Sequence, residues 1–140
     1  MEENANLNNL LKAKNMNFGL ERIRTTLKDL EGELQRIPAI QIVGTNGKGS
    51  IAKFIESCLL EKDIPTGCTT SPHLLDWCER IRLNGKKISA HKFEEIILNI
   101  TKNFGNNFLT TFELVIASAF NYFLLNKVEI IILEAGLGGR

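Results

Sequence analysis

This sequence lacks a strong net charge. A high net charge is typical of nucleic-acid binders and of disordered chains. Its 140 residues include 17 basic and 16 acidic side chains, for a formal net charge of +1. Hydrophobic residues make up 44% of the chain, enough for one ordinary core. The composition therefore predicts a globular domain, or part of one, that does not bind nucleic acid through charge.

Cysteine is also scarce, and its placement excludes two further classes. Cys58, Cys68 and Cys78 are odd in number and ten residues apart, so they form neither a paired disulfide framework nor a C-x-x-C metal or redox motif. Residues 1–9 are polar and lack the apolar core of a secretory signal, and no apolar run approaches membrane-spanning length. We therefore expect a cytoplasmic protein with reduced thiols and no membrane partner.

Helical and strand periodicities alternate along the rest of the chain. They predict an amphipathic helix from Gly19 that ends before Gly32, strands at 39–43, 66–70 and 128–133, and helices from Lys48 to about 60, at 91–104 and at 111–125. The segment 71–87 between them has mixed charges and a turn at 84–85. This order predicts an α/β fold, a parallel sheet flanked by helices, with ligands gathering at the carboxyl ends of the strands.

A glycine-rich stretch lies between the first strand and its helix and predicts a phosphate site. Its members are Gly44, Thr45, Asn46, Gly47, Lys48, Gly49 and Ser50, hereafter the phosphate loop. Glycines let successive N–H groups turn toward an anion, Lys48 supplies a charge for the β- and γ-phosphates, and Ser50 a hydroxyl near a bound Mg²⁺. The alternative is a turn that merely joins strand to helix, but a lysine between two glycines has little packing rationale.

The loop departs from the common phosphate-loop pattern G-x-x-x-x-G-K-[ST]. Ile42 stands where that pattern has glycine, and Gly49 separates the lysine from the hydroxyl. In this form, GTNGKGS, it resembles the ATP loop of the folylpolyglutamate synthase / dihydrofolate synthase branch of the Mur ligase superfamily. Two later stretches resemble that branch as well: TSPHL at 70–74, continuing through ERIR at 79–82 to 84–85, and LEAGLGGR at 133–140. The similarity extends from about residue 17 to residue 140.

The resemblance implies a magnesium site. In the family, the serine of the TSP motif and the glutamate of the last motif bind the Mg²⁺ that bridges ATP, which maps these roles onto Ser71 and Glu134, with Ser50 beside them. Both offer the oxygen ligands that a hard cation takes. A serine before proline is also a common turn residue, which is the competing interpretation of Ser71.

The resemblance also implies substrate contacts. Thr110, Thr111, Phe112 and Glu113 resemble a T-x-F-E element associated with the pterin part of the substrate. Thr110 and Glu113 equally have the spacing of a helix capping box, and both interpretations can hold together.

Two further stretches resemble parts of the family's folate site. Asn17, Phe18 and Gly19 resemble the entry to the fold near the pterin, although Asn17 stands where an acidic residue is usual. Segment 71–87 corresponds to a mobile loop that shapes the folate pocket, with His73 and Trp77 as candidate contacts. The alternatives are a packing role for Trp77 and a solvated surface position for His73.

The reaction that the resemblance implies is ATP-dependent ligation. A carboxylate of dihydropteroate or a folate attacks the γ-phosphate, and the amine of L-glutamate then displaces phosphate from the acyl phosphate. Lys48 is the one candidate catalytic residue, ATP and Mg²⁺ are the cofactors, and the full-length protein is expected to be a monomer. Two alternatives stay open: another Mur-type amino-acid ligase, and a nucleotide-binding remnant without turnover.

The same resemblance predicts that residues 1–140 form only the N-terminal part of the ATP-binding domain. A further magnesium ligand, the adenine contacts and the glutamate-binding domain would lie beyond residue 140. We therefore expect weak or no catalysis from this chain alone, and, because missing strands would leave sheet edges and helix faces uncovered, low stability or aggregation.

Overall fold

The computed structural model describes residues 3–12, 19–106 and 108–136. The helices are α1 (Glu3–Leu10), α2 (Glu21–Leu27), α3 (Glu31–Leu34), α4 (Lys48–Leu60), α5 (Ala90–Phe104) and α6 (Thr111–Leu125), with 3₁₀ turns at Lys28–Leu30 and Trp77–Arg80. The strands are β1 (Ala39–Ile42), β2 (Thr66–Thr69), β3 (Ile81–Leu83), β4 (Lys86–Lys87) and β5 (Ile130–Glu134). The predicted α/β class is confirmed.

The sheet is mixed, which corrects the prediction of a parallel sheet with three strands. Its order is β1-β5-β2-β3-β4. Strands β1, β5 and β2 are parallel, whereas β3 and β4 are antiparallel to their neighbours. The additional strands come from segment 71–87, where Asn84 and Gly85 take φ angles of 49° and 77° and turn the chain straight back. Strands of three and two residues are too short for a periodicity to reveal.

Helices cover both faces of the sheet because side chains alternate along its buried strands. On β5, Ile132 faces the side of α4, where it packs with Ile42, Ala52 and Cys68. Its neighbour Ile131 faces the larger core that α1, α5 and α6 build on the other side. The outcome is a three-layer arrangement in which α4, and with it the phosphate loop, stands alone on one face.

The N-terminal segment contains a helix that the sequence analysis missed. Helix α1 buries Leu7 and Leu11, each 1% exposed, against α5. The signal was present, since Leu7, Leu10 and Leu11 recur at helical spacing, but the asparagines around them masked it. The next helical region was also predicted too short, because helical turns continue past Gly32 to Leu34, which packs on the core. A glycine inside a helix costs only about 1 kcal/mol, which such packing can offset.

The helices are also too short or too polar for a bilayer. Within the described residues, none is long and apolar enough to cross a membrane.

Candidate nucleotide and metal site

The phosphate loop follows β1 and leads directly into α4. Gly47 caps the helix with a φ of 77°, and Gly44 has a φ of 154°. Side chains rarely tolerate such backbone angles, so these two positions need glycine for conformational reasons. A Cβ at Gly47 would meet nothing within 4 Å, which shows that backbone geometry and not crowding imposes the glycine there.

Lys48 folds back across the loop that precedes it. Its Nζ donates a hydrogen bond of 2.9 Å to the carbonyl oxygen of Gly44. The cation thus lies over the turn at the start of α4, where helix N–H groups already favour an anion. This placement suits the role that the sequence predicts for Lys48.

Ser71 and Glu134 are adjacent although they lie 63 residues apart in the chain. The backbone N–H of Ser71 donates to Glu134 Oε2 over 3.1 Å. The two residues meet because β2 and β5 are parallel neighbours, with Thr69 paired to Leu133, so both strands end at the same edge of the sheet. The Glu134 carboxylate also lies 3.7 Å from where a Cβ of Gly49 would be, which places it against the phosphate loop.

These residues open onto one cleft of about 790 Å³ between α4 and the β3–β4 hairpin. Its lining residues are Gly47, Gly49, Ser50, Lys53, Glu56, Ser57, Leu60, Thr70, Ser71, Pro72, Leu74, Glu79, Arg82, Gly85, Lys87 and Glu134. The structure therefore brings Gly47, Gly49 and Ser50 of the phosphate loop together with Ser71 and Glu134, whereas Gly44, Thr45, Asn46 and Lys48 of that loop lie outside this lining. Of the predicted substrate contacts, Gly19, His73 and residues 110–113 lie outside this lining, and Asn17 and Phe18 lie outside the described residues, as do residues 137–140 of the last motif.

The chemistry of this edge fits a magnesium ion shared with phosphates. Ser71 and Glu134 supply hydroxyl and carboxylate oxygens, and the described residues hold no cluster of three or more His, Cys, Asp or Glu that would form a complete protein cage. Mg²⁺ usually keeps few protein ligands and completes its shell with phosphate oxygens and water.

The loop that carries Ser71, residues 70–80 and hereafter the Ser71 loop, is braced from within. The carboxylate of Glu79 accepts hydrogen bonds of 2.9 to 3.1 Å from the N–H groups of Leu74, Leu75 and Asp76. Those hydrogen bonds lower the pKa of Glu79, Leu74 first among them. The loop therefore has a defined shape without a ligand, and it leaves the side chains of Leu74 and Leu75 about nine-tenths exposed at its tip.

His73 and Trp77 contact each other in the Ser71 loop. Their ring centroids lie 4.4 Å apart, and the Arg80 guanidinium lies 4.6 Å from the Trp77 ring. Arg80 Nε also donates to His73 Nδ1 over 2.9 Å, and burial, with the nearby Arg80 charge, lowers the pKa of His73. Trp77 packs on the main core, so its packing role is present in the structure. His73 is half-buried and not a solvated surface residue, and its contact with substrate stays a prediction.

The T-x-F-E element forms the capping box that its spacing predicts. Glu113 N donates to Thr110 Oγ1, and Thr110 N donates to the Glu113 carboxylate over 2.8 Å. Arg22 on α2 adds two hydrogen bonds, 3.1 and 3.2 Å long, to the same carboxylate. Burial alone would raise the pKa of Glu113, but the hydrogen bonds from Thr110 and Arg22 outweigh it and hold the pKa below its ordinary value. Phe112 is 53% exposed, and its contact with substrate stays a prediction.

We expect Glu113→Gln to lower the thermal stability near neutral pH and to matter less in acid. Because the pKa of Glu113 is depressed in the folded chain, the stabilisation is present above about pH 4.5 and is lost as the pH falls through the folded pKa. Thermal unfolding of both proteins at several pH values measures this. A difference in melting temperature that stays constant from pH 7 to pH 3 would contradict it.

Two residues of the cleft were not predicted as partners. Glu56 on α4 and Arg82 on β3 form a buried ion pair of 2.8 Å. Arg82 was noted only as part of a motif, and the sequence carries no signal that joins it to an acid 26 residues earlier. Only the tertiary structure shows that they meet.

A glycine loop at a helix start, at the carboxyl end of a parallel strand and facing a serine–carboxylate pair, defines an α/β protein of the nucleotide phosphate-binding class. No family model matches the chain. It is 38% identical to a probable dihydrofolate synthetase of Schizosaccharomyces pombe, over 88% of this chain and 30% of that protein.

Solved structures give the same result at the level of the fold. The Mycobacterium tuberculosis folylpolyglutamate synthase complexed with ADP superimposes with a TM-score of 0.86 at 32% identity, over 99% of this chain and 33% of that one. A bifunctional folylpolyglutamate synthase/dihydrofolate synthase with Mn, AMPPNP and L-glutamate bound superimposes at 0.85 with 32% identity, over 97% and 33%. The chain belongs to the folylpolyglutamate synthase / dihydrofolate synthase family, and it spans about a third of the length of these relatives.

Proposed function

We propose that this chain supplies the triphosphate and metal side of an ATP-dependent ligase that joins L-glutamate to dihydropteroate, to folyl-polyglutamates, or to both. The observation that carries the proposal is the contact of 3.1 Å between the backbone N of Ser71 and Glu134 Oε2, at the edge of a cleft that Gly47, Gly49 and Ser50 of the phosphate loop also line. Relatives of similar fold are described with ADP, and with Mn, AMPPNP and L-glutamate, which supports both the nucleotide and the amino-acid substrate.

The residues of the cleft would act by position and charge. Backbone N–H groups of the phosphate loop bind the phosphates, and the amine of Lys48 exchanges its bond with the Gly44 carbonyl for the β- and γ-phosphate oxygens. Ser71 and Glu134, with Ser50, would hold Mg²⁺, which when bound neutralises phosphate charge. The carboxylate of the pteroate or folate substrate then attacks the γ-phosphorus and ADP leaves; the amine of glutamate attacks the acyl carbon and phosphate leaves.

Of the residues proposed for the folate side of the site, those that the structure describes do not line this cleft. Thr110, Thr111, Phe112 and Glu113, with Asn17, Phe18 and Gly19, are proposed to contact the pterin, and His73 is proposed to contact the folate from the Ser71 loop. The capping box fixes the start of α6, so it sets the direction in which the exposed Phe112 ring is presented. We also propose that residues 1–140 correspond to the N-terminal part of the ATP-binding domain, consistent with the share of the relatives that they span.

Replacing Lys48 with alanine tests the proposed nucleotide site. We expect the chain to bind ATP–Mg²⁺ and the K48A variant to bind it about tenfold or more weakly, since a positive charge next to the phosphates is lost. Calorimetric titration measures both affinities, and K102A, which removes an exposed lysine of α5 outside the cleft, is the matched control and should bind as the unmodified chain does. Undetectable binding by the unmodified chain, or equal binding by K48A, would refute the site.

A ligation assay with dihydropteroate and labelled L-glutamate separates catalysis from binding. Formation of a glutamate-containing product only in the presence of ATP would support the ligase activity directly. Binding of ATP–Mg²⁺ without product would leave a nucleotide-binding role alone for this chain.

A further inference from the structure

The floor of the cleft holds a pair of opposite charges that the proposed mechanism does not use. Arg82 Nη2 lies 2.8 Å from Glu56 Oε2, and Arg82 Nε donates to the same oxygen over 3.0 Å. The side chains are 10% and 5% exposed. Arg82 Nη2 also lies 3.3 Å from the Sγ of Cys68, which is fully buried.

Stability alone does not account for such a pair. Removing two charges from water costs several kcal/mol for each ion, and an apolar pair of similar volume is often as stable or more stable. What an apolar pair does not provide is direction, because two guanidinium N–H groups on one carboxylate oxygen, with the other oxygen held by Gly85 N, fix the orientation of both side chains. A buried ion pair beside a ligand cleft therefore suggests that geometry, more than folding energy, is what it supplies.

The pair joins the two walls of the cleft. Glu56 lies about two turns along α4 from the phosphate loop, and its other oxygen accepts from the N–H of Gly85 at the hairpin turn over 3.2 Å. On the far strand of that hairpin, Lys87 forms a 2.6 Å ion pair with Asp76, which caps the 3₁₀ turn of the Ser71 loop. Contacts thus run from the phosphate loop along α4, across Glu56 and Arg82, through the hairpin, to the loop that carries Ser71.

We propose that Glu56 and Arg82 are positioning residues for the nucleotide: they hold α4 and its phosphate loop at a fixed distance from the β3–β4 hairpin and the Ser71 loop, so that one ligand can contact both walls of the cleft. This inference rests on the proposed function, since it assigns the phosphates to the α4 wall and the metal oxygen of Ser71 to the other wall. Neither residue is assigned a contact with the nucleotide.

The test compares a ligand that needs both walls with one that needs the phosphate loop alone. In the double variant Glu56→Met with Arg82→Met, we expect the affinity for ATP–Mg²⁺ to fall about tenfold, while that for ADP in the presence of EDTA changes less than about twofold. The melting temperature should stay near that of the unmodified chain or rise, as for other buried pairs replaced by apolar residues. A purely structural role would weaken both ligands alike.

Two more variants complete the experiment. R82K keeps the charge but loses the paired Nε and Nη2 contacts with Glu56, and it should show the same preferential loss of ATP–Mg²⁺ if the double variant does not fold. Replacing the exposed pair Lys92 and Glu95 on α5 with glutamines is the control, and it should alter neither affinity. An unchanged affinity for ATP–Mg²⁺ in a folded variant, or an equal loss for both ligands, would overturn the inference; failure of the unmodified chain to bind ATP–Mg²⁺ would instead overturn the proposed function.

Discussion

Glu134→Gln should raise the Mg²⁺ concentration that supports ATP binding by about 100-fold. Mutating a residue that only orients a metal ligand typically lowers metal affinity by about 10- to 100-fold. Mutating Glu134, the proposed ligand itself, should therefore have an effect at the upper end of that range. The amide keeps the shape of the carboxylate and an oxygen that can still accept from Ser71 N, which bonds Glu134 Oε2 in the structure. The variant therefore removes the negative charge while leaving the local backbone supported.

Titrating ATP at a series of Mg²⁺ concentrations measures this effect. E129Q is the matched control, because Glu129 precedes the same strand and is exposed. It should bind ATP and Mg²⁺ as the unmodified chain does. The assignment of Glu134 fails if E134Q and E129Q show the same Mg²⁺ dependence.

Gly67→Ala should destabilise the fold by about 1 to 3 kcal/mol, the usual cost of extra atoms in a packed core. Gly67 lies in β2 with α6 directly over it, and a Cβ there would come within 2.6 to 2.9 Å of three carbons of the Phe123 ring. That ring is fully buried, so it has no solvent-exposed space into which to withdraw. Either the strand or the helix must shift.

Chemical denaturation of the variant gives the free energy of unfolding. Gly32→Ala serves as the comparison, since a Cβ at that helical position would meet nothing within 4 Å and should stabilise the chain by up to about 1 kcal/mol. Adding Phe123→Leu to Gly67→Ala should restore part of the lost stability by reducing the bulk opposite the new methyl group. If G67A unfolds at the same denaturant concentration as the unmodified chain, the close approach of α6 to β2 is wrong.

Long, strongly patterned elements were predictable from the sequence. Helix α6 begins and ends where its apolar run predicts, because Thr110 and Glu113 give it a local start signal that the structure confirms. The phosphate loop was equally predictable, because glycines in the sequence mark positions whose backbone angles other residues rarely adopt. Gly44 and Gly47 have such φ angles in the structure. In both cases the information is local, contained within a few neighbouring residues.

Short elements were not predictable in this way. Strands β3 and β4 have three and two residues, and their pairing depends on a turn and on β2 beside them. Helix α1 has few apolar residues of its own and depends on the surface of α5 to bury Leu7 and Leu11. Such elements form because of their neighbours, so their own residues carry only weak signals.

The sequence by itself determined the α/β alternation and the glycine-rich loop at the start of α4, and its family resemblance predicted Ser71 and Glu134 as oxygen donors. The tertiary structure alone decided that the backbone N of Ser71 lies 3.1 Å from Glu134 Oε2 and that Glu56 meets Arg82 in the same cleft. The physical reason is that hydrophobic period and backbone conformation act between near neighbours, whereas the distance between two strand ends depends on how the sheet is ordered. In this chain that order, with β5 inserted between β1 and β2, brings the carboxylate to the phosphate loop.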